Sequence, residues 1–214
     1  MDFSSLFPPS TSLVIADEEM WHTPLRDEEE ALIDGAIDKR QREFRAGRNA
    51  AHKALTLLQA PDVAILRGER REPVWPAGYI GSIAHCRDLC LAVCARDGEI
   101  AGLGIDVEPL TPLPEGVDRY IHTETDAKLM QSKRNAFPER LVFSAKESLY
   151  KCYYPLIGRY FGFQSVNLTE VDKGHFKFRP TDKCQVDFPP ELTFHGHYRY
   201  DSTHLLTACY LARD

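Results

Sequence analysis

GIDVE at 104–108 and FSAKESLYK at 143–151 are the two stretches on which the reading of this chain turns. In the first, Ile105 and Val107 alternate with Asp106 and Glu108. That period of two predicts a strand with both carboxylates on one face and both aliphatic side chains on the other. Neighbouring carboxylates repel unless a cation lies between them. Magnesium suits such a pair, because it takes oxygen ligands and is held by one or two carboxylates plus substrate phosphates. By itself the pentapeptide reads more readily as a solvated strand end before the turn at Pro109. In the second stretch, Glu147 and Lys151 are four residues apart and so neighbours on a helix. Alone they make a surface ion pair worth ~0.3–0.5 kcal/mol. Phe143, Leu149 and Tyr150 crowd the same turns, however, and Lys146 adds a second cation. A carboxylate with lysines on a partly buried helix suits a metal-bound, phosphate-bearing substrate.

Working outward, apolar residues at Ala31, Leu32, Ile37, Phe44, Ala51, Leu55 and Leu58 predict helix over 27–59, broken at Gly35 or Gly47. PVWP at 73–76 reads as a turn. Strands are expected at 79–84 and 89–95 around a turn at 85–88, then a hairpin turn at 97–99 and a strand at 100–107. Helices are expected at 125–132 and 139–154, then strands at 166–169, 175–178, 191–198 and 204–211. The class is α+β, with two helix-plus-strand halves meeting near 109–123.

Composition narrows the function. With 43% hydrophobic residues, the 214-residue chain has a core for one large domain or two small fused ones. A net charge of −6 argues against a general nucleic-acid binder. Yet Lys39, Arg40, Arg42, Arg45, Arg48 and Lys53 concentrate positive charge on one helix, which suits a small polyanion. No apolar run approaches the ~20 residues of a membrane helix. The start, Met1 to Ser5, lacks the pattern of a secretory signal, so a cytoplasmic location is expected. Cys86, Cys90 and Cys94 read either as zinc ligands or as small core residues of a strand; the missing second ligand pair favours the core.

Taken in order, FRAGRNAAHKAL at 44–55, EPVWPAGYIGSIAH at 72–85, GIDVE and FSAKESLYK form a set. Over about 38–165 the chain resembles the larger, monomeric phosphopantetheinyl transferases of the surfactin and enterobactin type. YPLIG at 154–158 is similar to their bacterial broad-acceptor subgroup. The resemblance implies transfer of the 4′-phosphopantetheine arm of coenzyme A to a serine of an apo acyl or peptidyl carrier protein, releasing adenosine 3′,5′-bisphosphate. It implies two similar halves, 1–108 and 109–214, related by a pseudo-two-fold. Each would be a sheet wrapped on a long helix, with the active site between them. It implies Mg²⁺ on Asp106, Glu108 and Glu147, and catalytic roles for Glu147 and Lys151. Coenzyme A would be bound by Arg40, Arg48, Arg70, Ser82, His85, Asp106, Lys146 and Lys151. Where the family carries a glycine before the Glu-Pro step, this chain has Arg71, so Arg70 and Arg71 compete for one phosphate contact. A transient carrier partner, a monomeric state and no nucleic-acid or membrane partner complete the expectation. The alternatives are a magnesium-dependent phosphodiesterase or nucleotide hydrolase, and a non-catalytic coenzyme A- or carrier-binding module.

Overall fold

A computed structural model of the chain describes residues 3–98, 100–133, 136–188 and 193–213. Strand β1 (Thr11–Ile15) is followed by the single-turn helix α1 (Asp27–Glu30) and the long helix α2 (Asp38–Leu57). The short strands β2 (Leu66–Arg67) and β3 (Pro73–Val74) pair with each other. Next come β4 (Tyr79–Cys86), β5 (Leu89–Arg96) and β6 (Ile100–Pro109). Helices α3 (Asp118–Ile121), α4 (Glu124–Ser132) and α5 (Leu141–Ile157) follow. The chain then forms β7 (Val166–Asp172), β8 (His175–Pro180), β9 (Phe194–Tyr200) and β10 (His204–Ala212). The mixed α+β class is as expected.

The strands form a three-stranded antiparallel sheet, β1-β5-β4, and a five-stranded one, β6-β10-β9-β8-β7. Strand β5 reads LCLAVCAR because both its faces are covered. Leu91, Val93 and Ala95 pack on Leu103 and Ile105 of β6, while Ala92 and Cys94 pack on Ala50, Ala51 and Ala54 of α2. This layering settles the cysteines. Cys90 and Cys94 are fully buried, burial pushes the Cys90 thiol up to about 12, and all six cysteines are free. Among the described residues no cluster of His, Cys, Asp or Glu is assembled to hold a metal.

Several boundaries differ from expectation. The 27–59 helix breaks at Gly35, whose φ of +69° is a left-handed conformation no β-carbon favours, and α2 runs unbroken through Gly47. The turn predicted at 73–76 instead begins with the paired strand β3, which local pattern could not show because its partner lies at 66–67. The turn at 85–88 narrows to Arg87 and Asp88, so His85 and Cys86 belong to β4. Helix α5 continues through Pro155 to a left-handed Gly158. The strand expected over 191–198 starts at Phe194; 191–192 lie outside the described residues, as does Glu99 of the expected hairpin turn.

β6 joins the two parts of the chain. Its ladder runs with β10, placing Asp106 opposite Thr207, while Ile105 N donates to Ser82 Oγ of β4 at 3.1 Å. Gly104 allows the closest approach: a β-carbon there would lie 2.0 Å from Ser148 O of α5. The glycine of GIDVE is therefore what lets the acidic strand lie against the backbone of the helix carrying Glu147. No helix among the described residues is long and apolar enough to cross a membrane.

The histidine cluster on β8 and β9 gives a pH prediction. His175 and His197 are cross-strand partners with ring centroids 4.6 Å apart, and Tyr210 stacks on both His195 and His197. Burial first, then His175, His195 and Arg199, lower His197 to about 4. A basic group depressed on folding contributes stability above its unfolded value, and that stability is lost as pH falls toward the folded value. Denaturant titrations should show a loss of about 1–2 kcal/mol between pH 7 and pH 4, after allowance for solvent screening. His197→Gln should flatten that slope.

Candidate active site

The site starts where β6 crosses α5. Asp106 is 6% exposed. Its Oδ1 accepts from Lys151 Nζ at 2.7 Å and its Oδ2 from Ser144 Oγ at 2.8 Å. The Thr207 hydroxyl donates to Ser144 O at 2.8 Å and so steadies that turn. Ser144, Glu147 and Lys151 are spaced three and four apart, which puts them on one face of α5. Glu108, two residues along β6, is paired with Arg140 at the start of α5. Arg140 also donates from Nε to Thr111 O at 2.5 Å and from Nη2 to Pro112 O at 3.1 Å, clamping the strand end.

The Glu147 carboxylate has no hydrogen-bond partner among the described residues. Burial, reinforced by the Asp106 charge and opposed by Lys151, raises its pKa. Burial and Asp106 likewise raise Glu108, against Arg140 and Lys151. Like-charge repulsion from Asp106 thus raises the demand for positive charge near Glu108 and Glu147, although among the described residues the three are not drawn together as a metal cluster. As they stand, Lys151 and Arg140 meet that demand for Asp106 and Glu108. The donor set, all carboxylate oxygen with Glu147 unpartnered, is of the type Mg²⁺ takes.

Across β4 lies a basic wall. His85 Nε2 is 3.3 Å from Arg40 Nη1, and Glu43 lies 3.9 Å from His85 and 3.7 Å from Arg40. Burial, with Arg40 and Lys151 adding to it and Glu43 opposing, lowers His85. Arg48 is 4% exposed, with its guanidinium 4.8 Å from the Phe44 ring centroid. Its Nη2 donates to Leu66 O at 3.2 Å, its Nε has no hydrogen-bond partner, and Glu29 is 4.0 Å away. Burial pulls it down to about 10. A buried guanidinium with an unpartnered Nε that lines a cavity has the chemistry of an anion receptor.

That cavity, of about 180 Å³, is lined by Arg40, Arg48, Arg71 and His85. It meets a second, of about 260 Å³, at Arg71, Pro73 and Ile83. The second is lined by Arg70, Trp75, Ser82, Tyr150 and Lys151. Tyr150 also borders a third, of about 140 Å³, walled by Glu147, Tyr160, Phe161 and Phe163. The three adjoin through shared lining residues as a segmented groove running from the basic wall to the unpartnered carboxylate.

Most of the sequence-predicted site residues line this groove: Arg40, Arg48, Ser82, His85, Glu147 and Lys151; Asp106 meets it through Lys151, and Glu108 lies beyond its walls on Arg140. Two placements differ. Arg71, held at φ +72°, joins the Arg40, Arg48 and His85 group, whereas Arg70 lines only the neighbouring cavity. Lys146 does not offer its ammonium to the groove. It donates to Ile121 O, Asp126 Oδ2 and Phe163 O at 2.9, 2.5 and 2.8 Å, with its side chain 1% exposed. Ser144, Thr207 and Arg140 were not anticipated. Helical spacing marks Ser144, but only the β6–β10 register brings Thr207 to the site.

Family models match along most of the chain. One described as "4'-phosphopantetheinyl transferase N-terminal domain" covers residues 28–95, and one described as "4'-phosphopantetheinyl transferase superfamily" covers 102–209. The chain is 36% identical to 4'-phosphopantetheinyl transferase Npt of Nocardia iowensis, over 84% of this chain and 79% of that protein. It is 34% identical to 4'-phosphopantetheinyl transferase PptT of Mycobacterium tuberculosis, over 88% and 86%. It is 39% identical to Enterobactin synthase component D of Escherichia coli K12, over 56% and 58%.

Proposed function

Because this chain belongs to the 4′-phosphopantetheinyl transferase superfamily, we propose a division of labour along its groove for moving the phosphopantetheine arm from coenzyme A to a carrier-protein serine. The observation that supports it is the succession of adjoining cavities along the groove, from an arginine wall that includes the buried Arg48 to an unpartnered glutamate. The 3′-phosphate of coenzyme A lies against Arg40, Arg48, His85 and Arg71, the last in place of Arg70. Ser82 and Lys151 line the stretch for the pyrophosphate. The apolar cavity beside Glu147, walled by Tyr150, Tyr160 and Phe161, suits the thiol-ended arm.

In the reaction the carrier serine oxygen bonds to the phosphorus that bears the pantetheine. The P–O bond to the bridging oxygen breaks, and adenosine 3′,5′-bisphosphate leaves. Glu147, raised and unpartnered, is placed to accept the serine proton. Lys151 holds a positive charge beside Asp106, where negative charge develops on the leaving group. Asp106, Glu108 and Glu147 would hold Mg²⁺, which would supply Lewis-acid neutralisation of the pyrophosphate. Residues 1–108 and 109–214 form the two halves around this site. The protein works as a cytoplasmic monomer that meets its carrier transiently, without nucleic acid or membrane.

Incubating this protein with apo acyl and peptidyl carrier proteins, coenzyme A and Mg²⁺ should add the phosphopantetheine mass to at least one carrier. Release of a nucleotide with every carrier mass unchanged would instead support the hydrolase. Binding of coenzyme A with neither product would support a non-catalytic module.

A further inference from the structure

The lysine next to the proposed base makes its contacts inside the fold. We propose that Lys146 is a positioning residue for Glu147, acting through a buried lock with Asp126, and is not a ligand of the donor phosphates. The inference rests on the transferase reading. An ammonium has three donors, and all three of Lys146 are taken, by Ile121 O, Asp126 Oδ2 and Phe163 O. None remains for a phosphate. Asp126 is fully buried and equally committed. Its Oδ2 also accepts from Thr123 N and Thr123 Oγ1, each at 2.8 Å, and its Oδ1 accepts from Leu168 N at 2.8 Å.

The lock thus joins five places: α5, the end of α3, the N-terminus of α4, the 163 loop and the start of β7. Successive helix residues point about 100° apart. Fixing Lys146 inward therefore fixes the rotation at which Glu147 meets the groove. Lys146 and Phe163 also wall the cavity beside Glu147, so the same contacts set the width of that cavity. Stability alone does not explain a charged pair here. A buried ion pair is commonly no more stabilising than well-packed apolar residues, whereas its directional bonds permit one arrangement. Burial lowers Lys146 and Asp126 opposes it, as expected for a charge kept inside by its partner.

The test is steady-state transfer with Lys146→Met and Asp126→Asn, run beside Val171→Ala, a core change in the same half and away from the groove. Both lock variants should lower kcat by about 100-fold, the cost of a misplacement on the order of 1 Å. KM for coenzyme A should stay within about twofold. The double variant should cost no more than either single one. Val171→Ala should lower Tm but keep kcat. If Lys146→Met does not fold, Asp126→Asn, which keeps the shape and removes the charge, is read on the same axes. A tenfold or greater rise in KM for coenzyme A at unchanged kcat would make Lys146 a donor ligand and overturn the proposal. A kcat loss no larger than that of Val171→Ala would reduce the lock to a structural pair and overturn it too. Failure of the unmodified protein to load any carrier would instead sink the transferase reading on which it rests.

Discussion

Asp106→Asn should lower the rate of arm transfer by about 1000-fold while leaving the fold in place. Asp106 is the point where three demands meet. Lys151 and Ser144 are oriented on its two oxygens, and its charge raises both Glu108 and Glu147. The amide keeps the shape and can still meet the Ser144 hydroxyl, but it removes the charge that Lys151 pairs with and a proposed ligand for Mg²⁺. It also relieves like-charge repulsion, so thermal stability should change little. The rate of mass gain on a carrier, read alongside Tm, measures both. A variant with full activity would remove Asp106 from the metal and from Lys151. A variant that fails to fold would make the aspartate structural.

Glu147→Gln should be nearly as severe, with a loss of about 100- to 10,000-fold in kcat, the range for removing a general base. What separates base from ligand is the response to metal. If Glu147 served only to hold Mg²⁺, excess Mg²⁺ would restore the rate. As the proton acceptor it cannot be replaced by metal, and the loss should persist at saturating Mg²⁺ with KM for coenzyme A unchanged. Full recovery at high Mg²⁺ would shift the base elsewhere. The assignment rests on a half-buried carboxylate with no hydrogen-bond partner among the described residues, beside an aromatic-walled cavity.

Much of this site was readable before any coordinates. The alternation of GIDVE put Asp106 and Glu108 on one face of a strand, and the i,i+4 spacing put Glu147 and Lys151 together on a helix. These are local regularities, set by the pleat and the helical turn. The strand expected over 89–95, with no second ligand pair to accompany its cysteines, likewise pointed to Cys90 and Cys94 as core residues, and the layering on both faces of β5 bears this out. The order of the motifs identified the family, and with it the reaction.

Contacts between segments distant in sequence were beyond that reading. Lys146 and Lys151 are both cations on one helix, yet the fold turns one inward to Asp126 and the other onto Asp106. Arg70 and Arg71 are neighbours, yet only Arg71 lines the cavity of the basic wall. Thr207 enters the site only through the β6–β10 register, and the glycine of GIDVE gains its meaning only where α5 lies on it. The sequence by itself determined the strands, the helices, the residue types of the site and the family. Tertiary structure alone decided which charges face the groove, because burial and pairing across the chain, not local periodicity, set the direction of each side chain and the groups left free to act.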